Sequence, residues 1–184
     1  IRLRVWVNPD GGWCGKDDVI AKAQRAQQLG FRLMIDFHYS DTWADPAHQT
    51  VPAAWKGYTF EQMKQAVANH TSEVLKALKD RGVSNVEWVQ VGNETRDGML
   101  WNDQDVSVTG RCSKNAANFA AYVNAGYDAV KDVYPSAKVI VHIDEGNMLS
   151  HYTRIFDELK KHGGKWDVIG MSLYPEDDNW QTLT

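Results

Sequence analysis

Glu94 follows Asn93 at the end of an apolar run, Val86-Glu87-Trp88-Val89-Gln90-Val91-Gly92. A buried strand that ends in a carboxylate beside an amide has the parts for glycosidic-bond chemistry. The carboxyl can protonate a departing oxygen and then act as a general base. The amide can hold a sugar hydroxyl near the reacting carbon. One dipeptide is little by itself, and an exposed loop Glu or a structural ion pair is the plain alternative. Other apolar runs also border polar clusters: Asn8-Pro9-Asp10, Asp36-Phe37-His38-Tyr39, His142-Ile143-Asp144-Glu145 and Tyr174-Pro175-Glu176.

Strand alternation puts Asp36 and His38 on one face. They form either a polar floor that binds sugar hydroxyls and orients a carboxylate, or a satisfied interior pair. Arg2 and Arg4 alternate with Leu3 and Val5, and an inward-pointing arginine needs an acidic partner. Arg4 is expected to pair with the catalytic carboxylate, or else to belong to a buried structural ion pair. The loop Ser40-Asp41-Thr42-Trp43-Ala44-Asp45-Pro46 carries one Trp. Trp43 and Trp55 offer flat apolar faces to a sugar ring, or simply pack. Glu145 is a second carboxylate at a strand end. It reads as a substrate hydrogen bond or a helix-start charge rather than as a nucleophile. His38, His142, Asp36 and Glu94 show no local ligand spacing, so no metal is expected.

These residues must be held by something. β-type runs occupy residues 1 to 7, 32 to 37, 86 to 91, 138 to 143 and 167 to 173, with helical patterns between them. The first helix spans 17 to 29 and ends at Gly30. Thr59 and Gln62 have capping-box spacing. Met63, Val67, Val74, Leu75 and Leu78 then form a helical stripe that Gly82 closes. Ser113 is expected to cap the third helix, which runs through Phe119, Val123 and Val130 to Pro135. Ser150 is expected to cap the fourth, with Ile155, Phe156 and Leu159 inward. Such alternation implies parallel strands with helices outside. A doubly wound sheet would carry a Gly-rich phosphate loop, and Asp10-Gly11-Gly12 lacks that spacing. Polar residues at several strand ends fit a (β/α)8 barrel better. A barrel needs eight strands and about 250 residues. The five runs in this chain of 184 residues therefore read as one domain, 1–184, that is a section of a longer barrel.

Bulk properties exclude several classes. Hydrophobic residues make up 43% of the chain, which argues against disorder. A net charge of −4 argues against a nucleic-acid surface. No apolar run reaches membrane-spanning length. Cys14 and Cys112 either pair in an oxidising compartment or remain free thiols.

Four segments carry a resemblance to a known family. Leu3-Arg4-Val5-Trp6-Val7-Asn8-Pro9, the run from Asp36 to Pro46, Gln90-Val91-Gly92-Asn93-Glu94 and Ser172-Leu173-Tyr174-Pro175 resemble the arabinogalactan endo-β-1,4-galactanases of glycoside hydrolase family 53. The resemblance runs over essentially the whole chain, and His38 to Pro46 is its most specific part. It implies a (β/α)8 TIM barrel in which the visible strands are numbers two to six. It implies a secreted, periplasmic or cell-surface monomer that acts on a polysaccharide, cleaving β-1,4-galactosidic bonds with retention. Glu94 is then the acid/base, with Asn93, His38 and Tyr174 around the sugar. Arg4, Asp36, Asp41, Trp43 and His142 match positions of the cleft. The matching nucleophile is a Glu on strand seven, beyond this chain, so the 184 residues alone are expected to be inactive. No cofactor is implied in this part; the calcium site of some relatives belongs to later loops. Where the family often reads Asp-Asn-Gly, this chain has Asp144-Glu145-Gly146. Two other readings stay open. One is a non-catalytic galactan-binding barrel remnant. The other is a retaining barrel glycosidase for mannan, xylan or cellulose.

Overall fold

The computed structural model describes residues 1–174. Its strands are β1 (Arg2–Val5), β2 (Leu33–Phe37), β3 (Val86–Val91), β4 (Lys138–Ile143) and β5 (Val168–Met171). All neighbours pair in parallel, and the spatial order equals the chain order. Helices α1 (Lys16–Gln28), α2 (Phe60–Asp80), α3 (Cys112–Val133) and α4 (Leu149–Lys161) make the crossovers. A sheet without order reversal is a barrel wall, whereas a doubly wound sheet reverses at a switch point. β1 is shorter than the run expected over 1 to 7. The Trp6 N–H leaves the ladder and donates to Cys14 O of the following loop at 2.8 Å.

Alternation sorts each strand into two faces. Val5, Ile35, Phe37, Val89, Val91, Val139 and Val141 point outward and are buried against Val19, Val67, Leu75, Phe119, Val123 and Ile155 of the helices. Each such side chain, fully buried, contributes about 1.5–3 kcal/mol. The other face carries a polar row, with Arg4, Asp36 and Gln90 side by side across β1, β2 and β3.

The helix starts differ in how they were made. At α2 the expected capping box is present, with Gln62 N–H donating to Thr59 Oγ1 and Thr59 N–H to Gln62 Oε1. Ser113 does not cap α3; the cap residue is Arg111, without a side-chain bond. Asp97 supplies the acceptors instead. Its Oδ1 takes the Ser113 N–H at 2.8 Å and its main-chain oxygen takes the Cys112 N–H at 2.9 Å. A kink at Asn115 restarts the helix, and Asn115 Oδ1 accepts the Asn118 N–H at 3.1 Å in the manner of an N-cap. Ser150 lies inside α4, whose cap position is Met148. Cys14 and Cys112 are both buried free thiols, so the pairing alternative is not the one adopted.

Candidate active site

A cleft of about 750 Å³ opens between β1 and the segments that follow β2, β3 and β5. Arg2, Arg4, Trp43, Asp45, Asn93, Glu94, Ser172 and Tyr174 are among the residues that line it.

Below the cleft, Asp36 is fully buried and meets four donor atoms. Arg2 approaches Oδ2 with Nε at 2.9 Å and Nη2 at 2.8 Å, and His38 Nε2 lies 3.3 Å from the same oxygen. Gln90 Nε2 donates to Oδ1 at 2.6 Å. His38 Nδ1 accepts the Ala44 N–H at 3.0 Å, so its ring proton is on Nε2, directed at Asp36. His38 and Asp36 are thus a satisfied interior pair that supports the floor, and they do not line the cleft themselves. The arginine of that pair is Arg2, not Arg4. Arg4 has no carboxylate partner among the described residues. Its guanidinium lies over the Trp43 ring at 3.9 Å, where the ring face attracts the cation.

Asn93 hangs on the same network. Its Oδ1 accepts from Arg2 Nη2 at 2.6 Å and Gln90 Nε2 at 3.0 Å, and its Nδ2 donates to Ala44 O at 2.7 Å. The other Nδ2 hydrogen has no partner among the described residues. Gln49, which the sequence reading passed by, is buried and donates to Asn93 O at 2.8 Å. Gln90 was also passed by, although an amide inside an apolar strand is a readable signal.

Glu94 sits half-buried on the cleft wall in a left-handed conformation, φ +48°. A non-glycine residue there costs of order 1–3 kcal/mol and persists only where its surroundings impose it. His142 imposes it. The Glu94 N–H donates to His142 Nδ1 at 3.1 Å, and Thr95 donates to His142 O from N at 2.8 Å and from Oγ1 at 3.0 Å. Glu94 Oε1 accepts from Ser172 Oγ at 2.9 Å, and that hydroxyl is 3.0 Å from His142 Nε2. Burial raises the Glu94 carboxyl above its ordinary range and Asp144 adds to the rise, while Ser172 and Arg2 oppose it. Burial holds the His142 imidazole down at about 4.

The remaining expected residues divide. Trp43 is half exposed at the cleft and makes edge contacts with Trp6 and His38. Tyr174 is exposed and also lines the cleft. Asp41 is not in the lining; its carboxylate holds the Asn8 and Ala53 N–H groups at 2.9 and 2.8 Å, and so staples two loops. Glu145 is engaged by Arg96 at 2.6 Å and His151 at 3.0 Å and does not line the cleft either. Trp55 is buried in the helix layer. Pro175 and Glu176 lie outside the described residues.

A parallel wall with its polar residues gathered at the strand C-termini defines a (β/α)8 barrel, of which the described residues hold five strands. The chain belongs to Glycosyl hydrolase family 53, whose family model matches residues 1–184. It is 40% identical over 95% of its length to an uncharacterized protein from the bgaB 5′ region of Niallia circulans, of which it covers 48%. It is 36% identical over its whole length to the arabinogalactan endo-β-1,4-galactanase of Thermothelomyces thermophilus, of which it covers 54%. A solved structure from a study of two fungal β-1,4-galactanases superimposes with a TM-score of 0.85 at 37% identity, over 94% of this chain and 51% of that one. The chain spans about half the length of the curated relatives it matches.

Proposed function

We propose that the full-length protein is an endo-acting, retaining glycoside hydrolase that cleaves β-1,4-galactosidic bonds in galactan and arabinogalactan. Glu94 carries the reading. It is a half-buried carboxyl with a raised pKa, on the cleft wall of a chain 36% identical to an arabinogalactan endo-β-1,4-galactanase.

Burial favours the protonated acid at the start of the reaction. Glu94 gives its proton to the glycosidic oxygen as the bond to the anomeric carbon breaks. A second carboxylate, from the part of the barrel that these residues do not span, attacks that carbon and forms a glycosyl ester. Glu94, now ionised, takes a proton from water, whose oxygen attacks the same carbon and releases the second carboxylate. The spare Nδ2 hydrogen of Asn93 is available to a hydroxyl of the sugar being cleaved. Trp43 and Tyr174 provide aromatic faces for sugar rings. Two carboxylates and water complete the chemistry without a cofactor. A polymeric substrate sets the place of action outside the cytoplasm, with the protein working as a monomer.

Glu94→Gln in the full-length protein tests the assignment. Release of reducing ends from polymeric galactan should fall about 10³-fold, with an unchanged circular dichroism spectrum. Undiminished activity would refute Glu94 as the acid. Proton NMR of the first product should show the β-anomer, and an initial α-anomer would refute retention. Faster release from mannan, xylan or cellulose than from galactan would overturn the substrate.

A further inference from the structure

Glu94 is tied to one imidazole at both of its ends. Its N–H donates to His142 Nδ1, and its Oε1 accepts from the hydroxyl that contacts His142 Nε2. The directions follow from donor chemistry. A backbone N–H can only donate, so Nδ1 must accept and carries no hydrogen. The buried ring is neutral, and its single N–H is therefore on Nε2. Nε2–H donates to Ser172 Oγ at 3.0 Å. The one hydroxyl hydrogen of Ser172 is then left for Glu94 Oε1, 2.9 Å away. Among the described residues, Ser172 is the one hydrogen-bond partner of the Glu94 carboxyl.

In a protonated carboxyl the carbonyl oxygen is the better acceptor of a hydrogen bond, so the oxygen that Ser172 engages is the one that favours the carbonyl form. We infer that Ser172 is a positioning residue, oriented by His142, which fixes Glu94 Oε1 as the accepting oxygen and leaves Oε2 to deliver the proton. This rests on Glu94 being the acid/base. The chain of donors runs one way, from ring to hydroxyl to carboxyl, and also links the side chain of Glu94 to its own strained backbone. Ser172 arrives from the end of β5, 78 positions along the chain. Without it the carboxyl keeps no bond among the described residues that sets its rotation.

The hydroxyl also favours the ionised carboxyl, so its removal should raise the pKa of the acid. The charged and titratable groups that face this unit are Arg2 on β1, Asp36 and His38 on β2, Asp45 in the next loop, and Asp144 after β4. None of them bonds the Glu94 carboxyl, so none replaces the hydroxyl.

The test uses the full-length protein with Ser172→Ala, Ser172→Thr and Glu94→Ala. Substrates are polymeric galactan and a 2,4-dinitrophenyl β-galactotrioside, whose leaving group needs no proton. Ser172→Ala should lower kcat/KM on galactan about tenfold and on the dinitrophenyl substrate far less. It should move the alkaline limb of the galactan profile to higher pH. Ser172→Thr, which keeps the hydroxyl, should restore most of the loss. Nitrogen-15 NMR of the unmodified protein should show the His142 proton on Nε2. An Nδ1–H tautomer would overturn the inference even if the Ala variant fails to fold. Glu94→Ala is the control, and azide should rescue it on the dinitrophenyl substrate. If that control behaves so but Ser172→Ala loses both substrates equally with its pH limb unmoved, the Ser172 inference alone fails. If the control shows no leaving-group dependence, the acid/base reading falls and takes this inference with it.

Discussion

Arg2 and Asp36 form an ion pair beneath the cleft, Nη2 to Oδ2 2.8 Å, although strand register sets Arg4 opposite Asp36. The Asp36 side chain is wholly buried, while that of Arg2 is 40% exposed. Removing the arginine strands a buried carboxylate and also leaves Asn93 Oδ1, which Arg2 holds at 2.6 Å, with Gln90 as its remaining donor. Arg2→Met should therefore destabilise the full-length protein by about 2–3 kcal/mol, below the value for a fully buried pair because water reaches the guanidinium. Urea unfolding gives the answer as a lower midpoint at unchanged slope. An unchanged midpoint would mean that His38 and Gln90 satisfy Asp36 by themselves.

Gly92 is the residue that lets the chain turn from β3 toward Glu94. Its φ is +84°, and a Cβ there would lie 2.7 Å from Thr95 Cγ2 and 3.1 Å from Met99 Sδ. Gly92→Ala should cost about 1–3 kcal/mol in stability. It should also lower kcat more than tenfold, because a shift near 1 Å in a catalytic group costs about a hundredfold. Thermal midpoint and kcat, measured on one preparation, check both halves. A variant with a lowered midpoint and normal kcat would show that the turn reaches its geometry without the glycine.

The strands and helices were legible because apolar runs, Thr59 with Gln62, and closing glycines are local signals. The barrel was legible because polar residues gather at one end of several runs. What escaped is non-local. The cap of α3 comes from Asp97, 16 positions before Ser113, so Ser113 looked like the cap although it is Asp97's partner. Arg2 and Arg4 share a face and a spacing, and only the reach of a long side chain across the sheet decides which one meets Asp36. The family resemblance set Asp41 in the cleft, but its carboxylate is used up on two main-chain N–H groups. Ser172 stood in a segment of the resemblance but its role was not readable, since a serine after an apolar strand acquires meaning only once β5 is folded beside His142.

Trp43 is the cleft aromatic whose ring is pre-set before any sugar arrives. Arg4 lies over it at 3.9 Å, and half of the residue remains exposed. A rigid indole in that state binds a sugar face at little entropic cost. Trp43→Ala should weaken binding of galacto-oligosaccharides by about 1–2 kcal/mol, roughly ten- to thirtyfold. Isothermal titration with galactotetraose, using an inactive Glu94→Gln background, measures this directly. Unaltered affinity would assign Trp43 to packing against Trp6 and His38 instead.

Two buried histidines make stability depend on acid. Burial holds both His70 and His142 at about 4, against 6.5 for the free side chain. Between those values the unfolded chain binds protons that the folded chain refuses, so stability rises with pH across that window. Stability from these two groups is complete above about 6.5 and declines as pH falls toward 4. Glu94 and Asp144, both raised by burial, oppose the trend, since they favour the folded state on the acid side. The two histidines, both held down at about 4, are expected to set the direction of the dependence. His70 is the one to change. It lies among Phe37, Tyr39 and Trp55, and its buried Nε2 has no hydrogen-bond partner. His70→Phe should gain about 1–2 kcal/mol at pH 5 and flatten the pH dependence. Urea midpoints from pH 4.5 to 8 on both proteins would reveal it. Parallel curves would mean that His70 is protonated in the folded state and that His142 carries the whole slope.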